Sequence, residues 1–497
     1  MAYDCVVIGA GISGLSSSII LSKNGLKTAL VEKSLKTGPL VKGFRRKDHY
    51  FDTGFHHAGG IGEGSSGRIM LNYLGVERLL NIIPCSPDCF DIIRFTDSSF
   101  EFRFPTGYES IRDRLAEAFP DDLHAIDEYI REIKRYCSLL PFLNLDADLR
   151  EMNILENVHG LSLDNFLSSL TKNSYLKSVL GTHCLLNGVP SSEQGLNNYA
   201  YIVGPYYESV SYIEGGGSTL ISAFEKTAKE YGVDIFTGRD AEELLFSPSG
   251  ELTGIRFKDG SDIGCRNVIS TIHPMNMLKI VPESMFRRSY VNRINGLDET
   301  PSAFILFGIS EVDLNSVFGS SLHLMPVTGL DFGDFKRPVE ERPVNIIVTV
   351  PEGEKDSQRN AFVVICPATL KEVGLWEDST LGNRLPEYIA YKEQIKERML
   401  NHIETSFPVL AGKIHAVDCS TPLTLRDYSG SPFGSMYGAK HRVEQYNPFP
   451  MTRVPGLYLA GQSVVAPGLL GTMISAFLAC GNILGHDFIR GELKRWG

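Results

Sequence analysis

The sequence predicts an α/β protein in which one sheet domain is assembled from separated parts of the chain. Three observations support this prediction. The 497-residue chain opens with an apolar strand, a glycine-rich turn and a helix. Similar strand and helix patterns return at residues 213–275 and near the C-terminus, and charged segments of a different character lie between them. A chain of this length can hold two or more domains, so we expect a discontinuous domain interrupted by two insertions.

The first strand, turn and helix carry a phosphate-binding pattern. Residues 4–8 are predicted to be a strand and residues 12–24 a helix packed on a sheet. The turn between them contains Gly9, Gly11 and Gly14. In a dinucleotide-binding fold the first glycine allows the tight turn, the second lets a pyrophosphate approach the backbone, and the third lets helix and strand pack closely. The N–H groups at the start of the helix, which include those of Ile12 and Ser13, then face the phosphates.

The second strand, "KTALVEK", supplies an acid at the expected distance from the turn. It ends on Glu32, where a carboxylate accepts hydrogen bonds from ribose hydroxyls and repels a 2′-phosphate. A glycine-rich turn alone is common, but strand, turn, helix, strand and acid in register indicate a Rossmann-like dinucleotide site. The motif does not by itself separate FAD from NAD.

Composition excludes several classes of function. A hydrophobic fraction of 43% and a charged fraction of 22% are ordinary for a soluble protein. The net charge of −11 argues against nucleic acid as the main partner. The one close cysteine pair, Cys85 and Cys89, has no second pair or histidine cluster that would complete a zinc site. We therefore predict reduced thiols, no metal and no nucleic-acid partner.

Two features bear on localisation. No charged leader precedes the first strand, so we predict a cytoplasmic protein without a secretory or transit signal. The most apolar region, residues 454–485, is interrupted by glycines, Gln462 and Pro467, which favours a buried core over a membrane-spanning helix. Peripheral membrane contact stays open, because the basic run from Arg45 to Lys47 is either a solvated hairpin tip or a contact with a membrane surface.

The remaining elements follow from the same patterns. The segment "KGFRRKDHYFD" predicts a hairpin that turns near Lys47 and Asp48, and residues 68–180 are predicted to be mainly helical. Further helices are expected over 218–231 and 386–405. The final block predicts a buried strand, a loop and a helix. The other predicted strands are "VDIFTG", "AEELLFS", "LTGIRFKDG", "NVISTI", "AFILFGI", "VNIIVTV" and "AFVVICP".

Four sequence blocks resemble the FAD-dependent amine oxidase and phytoene desaturase superfamily, over nearly the whole chain. They are "VVIGAGISGLSSSIILSKNGLKTALVEK", "FDTGFHHAGG", "YIEGGGSTLISAF" and "GLYLAGQSVVAPGLLGTMISAF". "TPLT" at 421–424, "GSMYGAKH" at 434–441 and the pair Gly461-Gln462 are most similar to the retinol saturase and carotenoid isomerase branch. The resemblance implies a discontinuous Rossmann-like FAD-binding domain of the glutathione reductase type with an inserted α+β substrate domain.

The resemblance also implies domain bounds and cofactor contacts. The FAD-binding domain would comprise residues 1–67, 205–299 and 415–497, and the substrate domain residues 68–204 and 300–414. The implied FAD-binding residues are Gly9, Gly11, Ile12, Ser13, Gly14, Glu32, Lys33, Gly38, Ala241, Gly461, Gln462, Gly471, Thr472 and Met473.

Three of these assignments have qualifications. The backbone of the strand at Ala241 would contact the adenine, although an ordinary edge strand explains this segment as well. Gly471 to Met473 is expected at a helix start whose N–H groups stabilise negative charge on reduced flavin. After Gly38 the chain departs from the family pattern, since Pro39 replaces a second glycine and removes an N–H that could have reached the pyrophosphate.

Two side chains are candidates for chemistry at the flavin. The resemblance favours His56 as a proton donor. Because His56 and His57 are adjacent, a strand would point them to opposite faces, so at most one is expected to face the flavin. Tyr437 is the second candidate. Each has an ordinary alternative, namely a buried side chain satisfied by a hydrogen bond in the core.

The resemblance implies an FAD-dependent oxidoreductase that saturates carbon–carbon double bonds of an apolar conjugated polyene, such as a retinoid or carotenoid. Desaturation or cis/trans isomerisation of a polyene is the first alternative. A flavin amine oxidase is the second, although only 2 tryptophans are present for an aromatic cage. A non-catalytic lipid-binding relative of the GDP-dissociation inhibitor type is the third. "IEGGGS" has the wrong glycine spacing for a second dinucleotide site, so the electron donor or acceptor is not identified.

Overall fold

The computed structural model describes residues 2–46, 48–147, 160–326, 335–349 and 361–497. Elements are numbered in chain order over these residues. The strands are β1 (Tyr3–Ile8), β2 (Thr28–Glu32), β3 (Phe44–Arg46), β4 (His49–Phe51), β5 (Ala58–Gly59), β6 (Ile82–Pro84), β7 (Asp91–Phe95), β8 (Glu101–Phe104), β9 (Val210–Ile213), β10 (Asp234–Thr237), β11 (Ala241–Phe246), β12 (Leu252–Phe257), β13 (Asp262–Ser270), β14 (Ser302–Ser310), β15 (Ser321–Met325), β16 (Val344–Val348), β17 (Ala361–Ala368), β18 (Ile414–Ser420) and β19 (Leu457–Leu459).

The helices are numbered in the same way. They are α1 (Ile12–Lys23), α2 (Ser66–Leu74), α3 (Tyr108–Ala118), α4 (Leu123–Leu139), α5 (Leu163–Leu170), α6 (Ser174–Gly181), α7 (Leu196–Glu208), α8 (Gly216–Glu230), α9 (Pro274–Ile280), α10 (Arg288–Asn295), α11 (Asn315–Phe318), α12 (Pro386–Ser406), α13 (Pro422–Ser429), α14 (Gly468–Leu484) and α15 (His486–Lys494). Short 3-10 helices lie at Glu77–Leu79, Pro120–Asp122, Thr182–Leu186, Glu283–Met285, Val339–Glu341, Leu370–Trp376 and Pro408–Leu410.

The first sheet has the order β10-β2-β1-β13-β12-β11, with β19 beside β13. β10, β2, β1, β13 and β19 run parallel, whereas β12 and β11 are antiparallel additions. A strand that is buried on both faces has a nearly continuous apolar sequence. β2 is such a strand, since every one of its residues is buried. Along β1, Cys5 and Val7 pack into a core with α1, α8 and α14, while Val6 and Ile8 face the opposite core.

The second sheet has the order β18-β14-β17-β16-β15-β7-β8 and is antiparallel except between β15 and β7. β6, β7 and β8 lie in the region predicted to be mainly helical. "DIIRF" and "EFRF" are short runs beside long charged helices, and their pairing with each other and with β15 stabilises them as strands.

The strands of the two seven-stranded sheets come from different segments of the chain. All strands of the first sheet lie within residues 1–67, 205–299 and 415–497, and those of the second lie within 68–204 and 300–414 apart from β18. β18 spans Ile414–Ser420 and pairs with β14, so the second sheet extends past the predicted bound at residue 415.

The predicted hairpin is present as β3 and β4, with Phe44 opposite Phe51 and Arg46 opposite His49. Asp48 in the turn has a φ of 64°, and Lys47 lies outside the described residues. Arg45 and Arg46 are exposed on this hairpin. A small third sheet has the order β5-β9-β6, and β5 packs closely on α7, since a Cβ on Gly59 would lie 2.6 Å from Tyr206.

The apolar C-terminal block forms β19, a loop and α14, as predicted. No helix in the described part of the chain combines the length and apolar character needed to cross a bilayer. All nine cysteines are among the described residues and are free thiols, eight of them buried.

Candidate active site

A cavity of about 280 Å³ has three main walls. Residues 54–59 and α7 form one wall, β16 and β17 of the second sheet form another, and residues 437–450 with the start of α14 form the third. Among the lining residues that the structure describes there is no aspartate or glutamate, and Arg442 is the one permanently charged side chain. The cavity therefore suits a mainly apolar ligand.

Of the three glycines in the first turn, only Gly11 faces open space. Gly9 has a φ of 98°, and a Cβ on Gly14 would lie 1.8 Å from the Gly9 carbonyl oxygen, so strand and helix meet without room for a side chain. A Cβ on Gly11 would meet no atom within 4 Å. The first turn of α1 has no side-chain cap, so its N–H groups, including those of Ile12 and Ser13, face this space. This arrangement fits a pyrophosphate.

Glu32 is buried beside this turn. Its two carboxylate oxygens accept hydrogen bonds from the backbone N–H groups of Ala10 and Ser34, each at 2.8 Å. A carboxylate has about four acceptor positions, so two remain for ribose hydroxyls. The N–H of Arg239 donates to the Glu32 carbonyl at 2.9 Å, which brings the segment before Ala241 to the same edge.

Three other predicted contacts have different surroundings. Lys33 is exposed next to Glu32. Ala241 begins the edge strand β11 and pairs with Phe257. The N–H of Gly38 donates to the Ala10 carbonyl at 2.8 Å, and a Cβ on Gly38 would lie 2.4 Å from Ile221. The absence of a side chain at Gly38 therefore allows α8 to pack closely against this loop. The N–H of Gly38 is already hydrogen-bonded within the protein.

The C-terminal block joins the glycine turn through a long-range hydrogen bond. The Ser13 hydroxyl donates to the Thr472 carbonyl at 2.8 Å, although the residues are 459 positions apart. Gly461 has a φ of 115° and donates its N–H to the Ser475 hydroxyl at 2.8 Å. The carbonyl of Gln462 lies 2.7 Å from Nε2 of His441, a cavity residue.

The start of α14 differs from the prediction. The helix begins at Gly468 rather than Gly471, so Thr472 and Met473 lie within it and Met473 is fully buried. N-cap Pro467 has no N–H, so the unpaired N–H groups of the first turn belong to residues 468–470. These residues and Gly471 line the cavity. The helix dipole therefore ends at the cavity, but the free donors lie earlier in the chain than expected.

His56 and His57 both line the cavity, and which of them would face a flavin stays a prediction. They lie in an irregular segment before β5, so the alternation of a strand does not apply. Nε2 of His56 and Nδ1 of His57 are buried without a hydrogen-bond partner. Burial lowers the pKa of His56 to about 3 and that of His57 to about 4. Neutral imidazoles, not imidazolium ions, therefore face the cavity at pH 7.

Tyr437 also lines the cavity, where burial raises the pKa of its phenol to about 12. Its backbone N–H donates to the Thr300 hydroxyl at 3.1 Å. Tyr206 on α7 contributes a second phenol, which donates to the His57 carbonyl at 3.5 Å. Both phenols remain protonated at pH 7, so each can donate a hydrogen bond.

The cavity face of α7 was not anticipated from the sequence. Its lining residues are Asn198, Tyr201, Ile202, Pro205 and Tyr206. These positions recur at intervals of three and four residues and so share one helix face. That spacing is a signal that sequence reasoning could have used. A second missed group, Asp91, His183 and His323, comes from three distant parts of the chain and has no local signal.

Asp52 has a structural role that its sequence block did not reveal. Its Oδ1 accepts hydrogen bonds from the N–H of Gly217 at 2.9 Å and from the Tyr50 hydroxyl at 2.8 Å. The Tyr50 oxygen in turn accepts from the N–H of Ser218 at 3.1 Å. Asp52 and Tyr50 together therefore cap the first turn of α8.

Replacing Asp52 with alanine is expected to destabilise the protein. Two buried donors, the Gly217 N–H and the Tyr50 hydroxyl, would lose their acceptor, which costs about 2–4 kcal/mol in total. Thermal unfolding of the variant should show a clearly lower midpoint. Asp52→Asn retains an acceptor oxygen and is the matched control. An alanine variant as stable as the wild type would show that Asp52 does not stabilise the protein by capping α8.

The pH dependence of the unfolding free energy gives a second measure of the contribution of Asp52 to stability. Burial raises the pKa of Asp52 to about 7, whereas the unfolded value is 3.8. The folded state therefore holds the proton more tightly, and this contribution to stability is present below pH 4 and is lost as pH rises towards 7. The unfolding free energy of the wild type relative to Asp52→Asn should fall over that interval. A constant difference would contradict the expectation.

The glycine turn with the buried acid beside it, and the N-terminus of α14 at the cavity, are features of a dinucleotide-binding oxidoreductase fold. The chain belongs to the family described as flavin containing amine oxidoreductase, which it matches over residues 12–482. It is therefore a flavin-dependent oxidoreductase, and the predicted superfamily and α/β fold are confirmed.

Individual relatives agree with this family. The chain is 26% identical to all-trans-retinol 13,14-reductase of Macaca fascicularis, with 99% of this chain and 87% of the relative covered. It is 22% identical to the chloroplastic prolycopene isomerase of Arabidopsis thaliana, with 95% and 82% covered. A solved structure of putrescine oxidase bound to putrescine has a TM-score of 0.64 at 13% identity, with 97% and 99% covered. This structural likeness shows the fold alone.

Proposed function

We propose that this protein is an FAD-dependent enzyme that saturates a carbon–carbon double bond of an apolar conjugated polyene. The observation that carries the proposal is the cavity wall, which offers no carboxylate among its described residues. Alkyl amines are cations at pH 7, and a buried cation without a paired charge is costly. The wall therefore favours an apolar polyene over an amine. The similarity to retinol 13,14-reductases over 99% of this chain supports the same substrate class.

The residues present fit FAD. The open space at Gly11 would accept the pyrophosphate, and Glu32 has free acceptor positions for the ribose. The N-terminus of α14 lies at the cavity, where its unpaired N–H groups would stabilise negative charge on the flavin ring. When bound, the flavin supplies hydride exchange at a ring nitrogen.

The chain itself supplies enclosure and polar orientation. Apolar side chains from β16, β17 and α14, among them Ile347, Ile365 and Leu470, would pack against a polyene and exclude water. The unpartnered Nε2 of His56 and the protonated phenol of Tyr437 are available as hydrogen-bond groups at the same wall. Arg442, which forms ion pairs with Glu193 and Asp298 at 3.6 and 3.2 Å, lies on the wall as well and would interact with a polar end of the ligand.

Isomerisation is the second candidate reaction. The similarity to prolycopene isomerase over 95% of this chain favours it, and the same cavity would accept its substrate. Saturation and isomerisation differ in whether the product gains two hydrogens. A cytoplasmic location remains a prediction from the sequence, which leaves peripheral membrane contact open and does not identify an electron donor.

The reaction is tested with retinol under anaerobic conditions. We expect the oxidised holoenzyme to leave retinol unchanged, and the dithionite-reduced holoenzyme to convert it to a product two hydrogens heavier, as measured by mass spectrometry. Reduced flavin is then the hydride source, which explains the dependence on reduction. Flavin released by denaturation should co-elute with FAD.

Other outcomes identify the alternatives. An isomer of unchanged mass would favour isomerisation, and removal of hydrogen by the oxidised enzyme would favour desaturation. Turnover of simple amines with peroxide release, and of no polyene, would show a flavin amine oxidase. A colourless protein that gains no flavin spectrum on incubation with FAD would support the lipid-binding alternative and overturn the proposal.

A further inference from the structure

A buried cluster of three ionisable side chains lies outside the cavity wall. Asp91 on β7 and His323 on β15 come from adjacent strands, and His183 lies in the 3-10 helix Thr182–Leu186. Oδ2 of Asp91 lies 2.8 Å from Nε2 of His323 and 3.3 Å from Nε2 of His183. Asp91 is 2% exposed and both histidines are 0% exposed. Three side chains of metal-ligating type, from three separate parts of the chain, therefore meet in the interior.

The carboxylate of Asp91 lacks a permanently charged partner. In the described part of the chain its ion-pair partners are the two histidines, and no lysine or arginine pairs with it. Its other oxygen, Oδ1, is buried without a hydrogen-bond partner. A buried carboxylate is costly unless it is paired with a charge or coordinates a metal. Both the charge of Asp91 and its unpartnered oxygen therefore favour a cation at this place.

The surroundings of the cluster are aromatic. The ring of His183 lies 4.7 Å from the ring of Phe104 and 6.1 Å from the ring of Phe90, measured between centroids. Phe104 is 0% exposed and Phe90 is 1% exposed. These rings keep water away from the cluster and lower the local dielectric constant. A cation bound there would therefore interact strongly with its ligands.

The three side chains form a donor set that suits Zn²⁺. Their ligand atoms all lie within 4.8 Å of one another. Zinc binds imidazole nitrogen and carboxylate oxygen at about 2.0–2.2 Å, so two donors of one tetrahedral ion lie roughly 3.3–3.5 Å apart. The 3.3 Å between Asp91 and His183 fits, and the 2.8 Å between Asp91 and His323 would lengthen by about half an ångström.

The remaining atoms of the cluster complete the coordination. With the proton of each imidazole on Nδ1, the lone pair of Nε2 is free to bind an ion. Oδ1 of Asp91 has no other partner, so the carboxylate can bind through both oxygens. Two nitrogens and two oxygens then give the four donors that are usual for a structural zinc site.

We propose that Asp91, His183 and His323 bind a structural Zn²⁺ ion. None of the three lines the cavity, so the inference goes beyond the proposed function and is independent of it. The ion joins β7 and β15 of the second sheet to the segment that carries His183. Because these ligands come together only in the folded chain, zinc binds as the chain folds, and its binding free energy adds to the stability of the protein.

The first test is the zinc content of the holoenzyme, purified from cells grown with added zinc sulfate and measured by mass spectrometry of the elements. We expect one zinc ion per chain, retained during dialysis of the native protein against EDTA because the site is closed. Asp91→Asn and His323→Asn should each contain little or no zinc. His415→Asn is the matched control and should retain it, since His415 forms an exposed imidazole–carboxylate pair with Glu311 at 2.9 Å.

The second test measures stability in the wild type and therefore does not depend on the folding of a variant. The protein is unfolded in denaturant with EDTA and refolded with FAD, either with zinc sulfate or without a metal. Refolding with zinc should raise the thermal unfolding midpoint. X-ray absorption at the zinc edge should show nitrogen and oxygen ligands at about 2.0–2.2 Å and no sulfur at about 2.3 Å.

Three results would overturn the site. One is a wild-type protein that holds no divalent metal and refolds to the same midpoint with and without zinc, in which case a proton on an imidazole neutralises Asp91. Another is a zinc content that neither variant lowers. The third is sulfur at the zinc, which would place the ion at cysteines. None of these measurements uses a polyene, so failure of the proposed function leaves their interpretation unchanged.

Discussion

Replacing Gly11 with valine is expected to leave the protein folded and to remove its flavin. A Cβ on Gly11 meets no protein atom within 4 Å, so the apoprotein has room for the side chain. The same space would hold the pyrophosphate. A valine side chain there would block the approach of the pyrophosphate to the N–H groups of α1. Hydrogen bonds to a charged group contribute about 1.5–3 kcal/mol each. Losing two of them would weaken FAD binding by roughly 10²- to 10⁴-fold.

The measurement is the ratio of flavin absorbance to protein absorbance after purification, with circular dichroism to confirm the fold. Gly491→Val is a matched control, because Gly491 also faces open space but lies in α15. We expect the control to retain wild-type flavin. A Gly11→Val protein with full flavin content would show that the pyrophosphate does not approach this turn.

Gly14→Val is expected to have the opposite consequence, namely loss of the fold itself. A Cβ at this position would lie 1.8 Å from the Gly9 carbonyl oxygen and 3.0 Å from its carbonyl carbon. The Gly9 backbone cannot easily move, since its N–H donates to Val31 at 2.8 Å and its carbonyl accepts from Thr271 at 3.1 Å. Overpacking against fixed backbone should cost at least about 3 kcal/mol.

Thermal unfolding of apoprotein and soluble yield measure this loss. Added FAD should not restore Gly14→Val, because the defect lies in the packing of β1 against α1 and not in the ligand space. A variant that unfolds at the wild-type midpoint would contradict this packing. The two valine variants therefore distinguish a glycine needed by the ligand from a glycine needed by the fold.

The local parts of the fold and site were predictable because short-range patterns control them. The order from β1 through the glycine turn and α1 to Glu32 depends on residues adjacent in the chain, and the structure forms it within one or two residues of the prediction. The hairpin of β3 and β4 and the C-terminal strand, loop and helix follow from similarly local signals. The roles of the cofactor-binding residues and of His56 and Tyr437 stay predictions.

Predictions failed where a neighbour distant in the chain decides the structure. β7 and β8 are strands because β15, more than 200 residues later, pairs with β7. The start of α14 is an exception to this rule, because the adjacent Pro467 is the N-cap and the helix begins at Gly468.

The sequence by itself therefore determined the dinucleotide motif, the family and most elements, since periodicity, turn residues and motif spacing are local properties. Only the tertiary structure decided that Ser13 meets Thr472 and that the cavity wall has no described carboxylate. It also brought Asp91, His183 and His323 together from three separate elements. The physical reason is that long-range contacts arise from the burial of whole elements against each other, and no short stretch of sequence carries that information.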